Sequence, residues 1–243
     1  MKPDFIIFNG CSFTEAGGLS NANILNLYGY NLSLNKEHHK IKAELSFANL
    51  IAKHFNCEYI NLSESGNSNE NIFQKVFEYV ELNSEKLKMY KNVHCFIQTT
   101  MSSRKTVNYK GNVINVNSFS KKDHPYTSGQ HYDDLQKWYE LYILNMFNEE
   151  FEAKRTKKEI YTIREYLKSK NIKVYFGIYS DTPLIKILNK DDYIKFEKYD
   201  EMMYYSSDNK LRICDEVDHP DGHFSPTGHK NIADILIKKI END

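Results

Sequence analysis

Four short apolar runs constrain what this chain can fold into. They are FIIFN (5–9), EYINLS (58–63), NVHCFIQTT (92–100) and IKVYFGIYS (172–180), and between them apolar residues recur at helical spacing. A run that is apolar throughout, such as the first, bounded by Pro3 and Gly10, suits a strand covered on both faces. SFANLIAKHF (46–55) places a serine cap ahead of a helical pattern. From Asn69, residues Ile72, Phe73, Val76, Phe77 and Val80 draw the apolar face of a second helix. Residues 133–169 read as helical with a break near Asn148, and a closing helix from Pro226 is marked by Ile232, Ile235, Leu236 and Ile240. Residues 19–42 and 181–207 are read as loop with short helices, LRICD (211–215) as a short fifth strand, and 102–130 as a polar insertion with a small hairpin at 113–116. Strand alternating with helix along 243 residues predicts one α/β domain, 1–243, a three-layer sandwich around a mostly parallel, doubly wound sheet.

The charge balance excludes some partners. Lys and Arg number 32 against 33 Asp and Glu, so no basic face for nucleic acid is expected. No apolar segment approaches the length that spans a bilayer. Cys11, Cys57, Cys95 and Cys214 form no C-x-x-C pair and read as free thiols in a reducing compartment. The chain enters its first strand without a signal-type leader, which points to a cytoplasmic protein.

Ligands of a doubly wound sheet bind beyond the carboxyl ends of its strands. Polar residues collect after several strands here: Gly10 and Ser12; Gly66, Asn67 and Asn69; Thr99, Thr100, Ser102, Ser103 and Arg104. The segment DHPDGHFSPTGH (218–229) stands just before the last helix. A serine becomes a nucleophile when a histidine takes its proton and a carboxylate orients that histidine. Ser12, His223 and Asp221 supply those types, and the backbone N–H groups of Ser12 and Gly66 supply donors for an oxyanion.

With these residues in view, the sequence resembles the SGNH (GDSL-like) hydrolases. Three blocks carry the likeness: FNGCSFTEAGG after the first strand, NLSESGNSNENI around Gly66, and DGHFSPTGHKNIAD, with Gly228 five residues beyond His223. The resemblance implies a flavodoxin-like sheet and a serine esterase in which Ser12 attacks, His223 acts as base and Asp221 orients it. It also implies a small-molecule or carbohydrate ester substrate, with an O-acetyl ester among the candidates, and no cofactor or metal. The chain departs from the family pattern in four places. Cys11 stands where an Asp precedes the nucleophile, the final dyad is one residue closer, Phe224 replaces Pro, and the third block, IQTTMSSR, has no asparagine. The third oxyanion donor then falls to Thr100, Gln98, Asn67 or Asn69.

Other readings use the same residues. Cys11 is an alternative nucleophile, although strand alternation points it away from Ser12. Asp218, His219, Asp221, His223 and His229, with His94 or His124, resemble metal ligands, whereas His229 alone suits a residue packed on the last helix. Arg104 suits either a substrate carboxylate or phosphate or a structural acid such as Asp123. An acyltransferase or a non-catalytic binding protein would need the same fold.

Overall fold

The computed structural model describes residues 1–12, 14–20, 35–109, 112–116, 130–178, 183–195 and 226–243. The strands are β1 (Phe5–Asn9), β2 (Glu58–Asn61), β3 (Val93–Gln98), β4 (Lys105–Tyr109), β5 (Asn112–Val116), β6 (Ile172–Ile178) and β7 (Ile194–Lys195). The α-helices are α1 (Asn35–Leu45), α2 (Phe47–Phe55), α3 (Asn69–Leu82), α4 (Ser84–Leu87), α5 (Gln130–Asn145), α6 (Glu149–Ser169), α7 (Pro183–Ile187) and α8 (Pro226–Asn242). Five strands form one sheet in the order β2-β1-β3-β6-β7, and every pairing in it is parallel. This is the flavodoxin-like order, in which the winding reverses beside β1 and opens a crevice at its carboxyl end.

The pleat sorts each strand between two cores. Phe5 and Ile7 of β1, Val93, Cys95 and Ile97 of β3, and Phe176 and Ile178 of β6 meet Ile72 and Val76 of α3 and Ile160, Ile163 and Leu167 of α6. Ile6, Phe8, Phe96 and Tyr175 point the other way, to Phe47 and Ile51 of α2 and Ile232, Leu236 and Ile240 of α8. The three layers follow from strands that are apolar on both sides. Side chains mark where helices start and stop. Ser46 accepts from Asn49 N (3.3 Å), Ser68 from Asn71 N (3.3 Å) and Asn148 from Phe151 N (2.9 Å), satisfying N–H groups that lack a helical partner. Asn56, at φ 49°, ends α2 in the left-handed conformation that asparagine tolerates.

The helix break expected near Asn148 occurs there, with Asn148 as the cap of α6. The hairpin in the insertion is longer than its sequence signal: β4 and β5 pair antiparallel from Lys105↔Val116 to Tyr109↔Asn112. Val107, Ile114 and Val116 pack against Leu135, Tyr139 and Tyr142 of α5, giving the polar insertion a small core of its own. Phe77 departs from expectation. It is 47 % exposed and rests against Tyr166 on the surface rather than in the core. Residues 211–215, proposed as a fifth strand, lie outside the described residues, and the fifth strand of the sheet is the short β7. No helix among the described residues is long and apolar enough to cross a membrane.

His94, buried on β3 beside Tyr175, gives this core a pH dependence. Burial pushes its imidazole from 6.5 down to about 4, and the positive charges of Lys173 and the N-terminus add to the effect. The unfolded chain takes up this proton as pH falls below about 6.5, whereas the folded chain holds off to about 4. The group is neutral and costs nothing above the upper value, and stability falls by up to about 3 kcal/mol as pH drops through the window. Urea unfolding at pH about 7 and about 5 should therefore show a smaller loss at low pH in His94→Leu than in the wild type. An equal loss in both would place the acid sensitivity elsewhere.

Candidate active site

The candidate site is built on the turn that leaves β1. Asn9 ends the strand fully buried, with its side-chain Nδ2 donating to Ile72 O (2.7 Å) and its Oδ1 accepting from Gly10 N (2.9 Å). The chain then turns tightly: Thr14 N and Glu15 N both donate to Cys11 O (3.0 Å each), and Gly17 N donates to Ser12 O (2.7 Å). Thr14 Oγ1 donates to Gln98 Oε1 at the end of β3, which closes the turn against the neighbouring strand. Gly10 has to be glycine for this closure. A β-carbon there would lie 2.3 Å from Thr14 Oγ1 and 3.0 Å from Gln98 Cβ.

The segment after β2 is laced to this turn. Gly10 O accepts from Glu64 N (3.4 Å) and from Asn67 Nδ2 (3.3 Å). Asn61 Nδ2 donates to Thr14 O (2.9 Å), and Ser65 Oγ to Glu15 Oε2 (2.5 Å). Lys42 of α1 reaches the other Glu15 oxygen (3.1 Å). Burial works to raise the Glu15 carboxyl, but the Ser65 hydrogen bond and the Lys42 charge prevail and hold it below its ordinary value. Gly66 sits at φ 77°, in the left-handed region that glycine enters without strain. Asn67 is fully buried, and its Oδ1 accepts from Asn71 (2.6 Å) and from Asn115 of β5 (3.3 Å).

The segment after β3 is pinned by Asn69, whose Oδ1 accepts from Thr100 N (2.7 Å) and whose Nδ2 donates to Thr100 O (3.1 Å). This fixes what Thr100 can offer a substrate: its backbone N–H is spent, and its hydroxyl is the donor left. Gln98 Nε2 is buried without a hydrogen-bond partner.

Ser12 sits 6 % exposed at the strand tip. Its N–H and hydroxyl, and the N–H of Gly66, make no hydrogen bond to the described residues. Such groups are available to a substrate oxygen. Cys11, the alternative nucleophile, is fully buried in the core with Phe8 and Phe47, so its sulfur faces away from this edge. His223 and Asp221 lie outside the described residues, as do Asp218, His219, His124 and Asp123. Among the described residues no cluster of metal-ligating side chains occurs. His229 is fully buried on the first turn of α8, stacked on Phe47 (ring centroids 5.6 Å), with Nδ1 accepting from Phe47 N (3.3 Å). That is the packing role expected for it.

Sequence reasoning missed Asn9, Asn61, Thr14 and Glu15. The available signal was an asparagine at the end of β1 and of β2, placed to bridge to a neighbouring segment, as Asn9 does to Ile72 O and Asn61 to Thr14 O.

No protein-family model matches the sequence, and no curated protein matches it. Solved structures of similar course exist. A psychrotrophic esterase, EstA, from Pseudoalteromonas sp. is 12% identical, with 99% of this chain and 100% of that chain covered and a TM-score of 0.48. A putative lipolytic protein of the G-D-S-L family from Desulfitobacterium hafniense is 10% identical over 97% of this chain and 98% of that one, at a TM-score of 0.44. A putative acylhydrolase from Bacteroides fragilis is 13% identical over 98% and 87%, at 0.42.

Two substitutions test the scaffold. Gly10→Ala forces Thr14 off Gln98 and should cost about 1–3 kcal/mol in urea unfolding. Asn69→Asp keeps the acceptor for Thr100 N but loses the donor to Thr100 O, and should cost about as much. A change below about 0.5 kcal/mol in either would show that these contacts do not hold the site together.

Proposed function

We propose that the chain is a serine hydrolase that cleaves a small acyl ester, with an O-acetyl group on a carbohydrate as the leading substrate. The observation that carries this reading is Ser12, held on a rigid strand tip with its hydroxyl and N–H uncommitted. The position of α8 supports it. The end of α2 leads within three residues into β2, so Phe47 at the start of α2 stands at the carboxyl edge of the sheet. His229 accepts from Phe47 N, so the first turn of α8 stands at that edge too. His223 is three residues ahead of Pro226, a span of at most roughly 10 Å. Free Cys11, Cys57 and Cys95 suit a reducing, cytoplasmic setting.

In this mechanism His223 takes the proton of Ser12 Oγ as the oxygen attacks the ester carbonyl. Asp221 holds the imidazole in the required tautomer and steadies its charge. The oxyanion accepts from the N–H groups of Ser12 and Gly66, with the second N–H of Asn67 Nδ2, the one not given to Gly10 O, or the Thr100 hydroxyl as third donor. The leaving alcohol takes the proton from His223 as the C–O bond breaks, and an acyl-serine forms. Water, deprotonated by His223, attacks that acyl group, releasing the acid and restoring Ser12. The scheme draws on no metal or cofactor.

A fluorophosphonate probe tests it directly. The wild type should label rapidly and Ser12→Ala should not. His223→Ala should slow p-nitrophenyl acetate turnover by roughly 10³-fold or more. Labelling that survives Ser12→Ala, or a wild type that does not label, would remove the nucleophile and with it the proposal. Acyl transfer in place of hydrolysis would show as an acylated product when an acceptor sugar is added.

A further inference from the structure

Arg104 is half-buried, and two of its guanidinium nitrogens are not answered by the rest of the described structure. Its Nε and Nη1 are shut away from solvent and donate to no group. The neighbouring cations behave differently. Lys105 is answered by Glu152 (2.8 Å) and Glu70 (3.4 Å), and Arg155 by Glu70, by Glu152 (3.3 Å) and by Glu159 (3.5 Å). No carboxylate among the described residues pairs with Arg104. A guanidinium has donors in a fixed fork and does not give up its proton, so burying it without acceptors is costly. A ligand that brings two oxygens recovers that cost.

The hairpin shows where such a ligand would sit. Lys105 and Val107 turn toward α5 and α6. Thr106 turns the other way, where Oγ1 lies 2.5 Å from Ser68 Oγ and 2.7 Å from Asn115 Oδ1. Asn115 donates to Asn67 (3.3 Å), and Asn67 donates to Gly10 O (3.3 Å) beside Ser12. Arg104 sits in the turn that enters β4, two residues before Thr106, with its N–H donating to Met101 O (3.1 Å).

We propose that Arg104 is the anion-recognition residue of the Ser12 site and that the ester cleaved there carries a carboxylate or a phosphate. The inference rests on the esterase reading above. The wild type should hydrolyse mono-p-nitrophenyl succinate with a lower KM than p-nitrophenyl acetate. Arg104→Gln should lower the ratio of the two kcat/KM values about tenfold or more. Arg104→Lys, which keeps the charge but not the fork, should fall between. Calorimetry with succinate and, separately, inorganic phosphate identifies the anion, and binding of the preferred one should disappear in Arg104→Gln. An unchanged ratio together with no binding of either anion to the wild type would overturn the proposal. Anion binding lost in Arg104→Gln, from a wild type that labels with no fluorophosphonate, would sink the esterase reading and leave the anion site standing.

Discussion

Around the carboxyl edge of the sheet, side-chain amides bridge one segment to the backbone carbonyls of the next. Asn9 answers Ile72, Asn61 answers Thr14, Asn67 answers Gly10 and Asn69 answers Thr100. Each bond adds about 1 kcal/mol net, but its loss would strand a buried polar group at a larger cost. These four residues turn separate loops into one body. Each loop is fixed to the next by a hydrogen bond of defined length, so the spacing between the Ser12 turn, the Gly66 turn and the Thr100 segment follows from amide geometry.

The hairpin extends this arrangement through charge. Glu152 is 5 % exposed on α6, and it accepts from Tyr142 (3.0 Å) as well as from Lys105. Glu70, on the first turn of α3, accepts from Thr106 N (3.2 Å). Buried ion pairs of this kind add little net stability, yet removing one partner is expensive. Their effect is positional: β4 has one way to sit against α3 and α6. Burial pushes the Glu159 carboxyl up, while the nearby Arg155 charge opposes it.

Much of the fold was legible in the sequence because burial on both faces writes itself as unbroken apolar runs. FIIFN and VHCFIQ read as strands for that reason, Ser46 marked a helix start through cap chemistry, and Asn148 marked a helix break. Phe77 misled because periodicity sees hydrophobicity and not exposure. The amide network was harder to read, since an asparagine looks the same in sequence whether it faces water or a buried carbonyl. The same limit hid that Asn69, itself a candidate oxyanion donor, spends its side chain on Thr100 N and O. Cys11 is buried as expected, but not by alternation: it lies past the end of β1, and the turn there carries it onto the Ile6 and Phe8 side, where strand parity would have put it with Phe5 and Ile7.

The anchoring of the hairpin has a mechanical consequence. A wall that swings needs weak, wet contacts along its base, and β4 has the opposite: a buried cation clasped by two acids and an apolar seam against α5. This flank of the crevice therefore keeps one shape, set by β4 against α3 and α6.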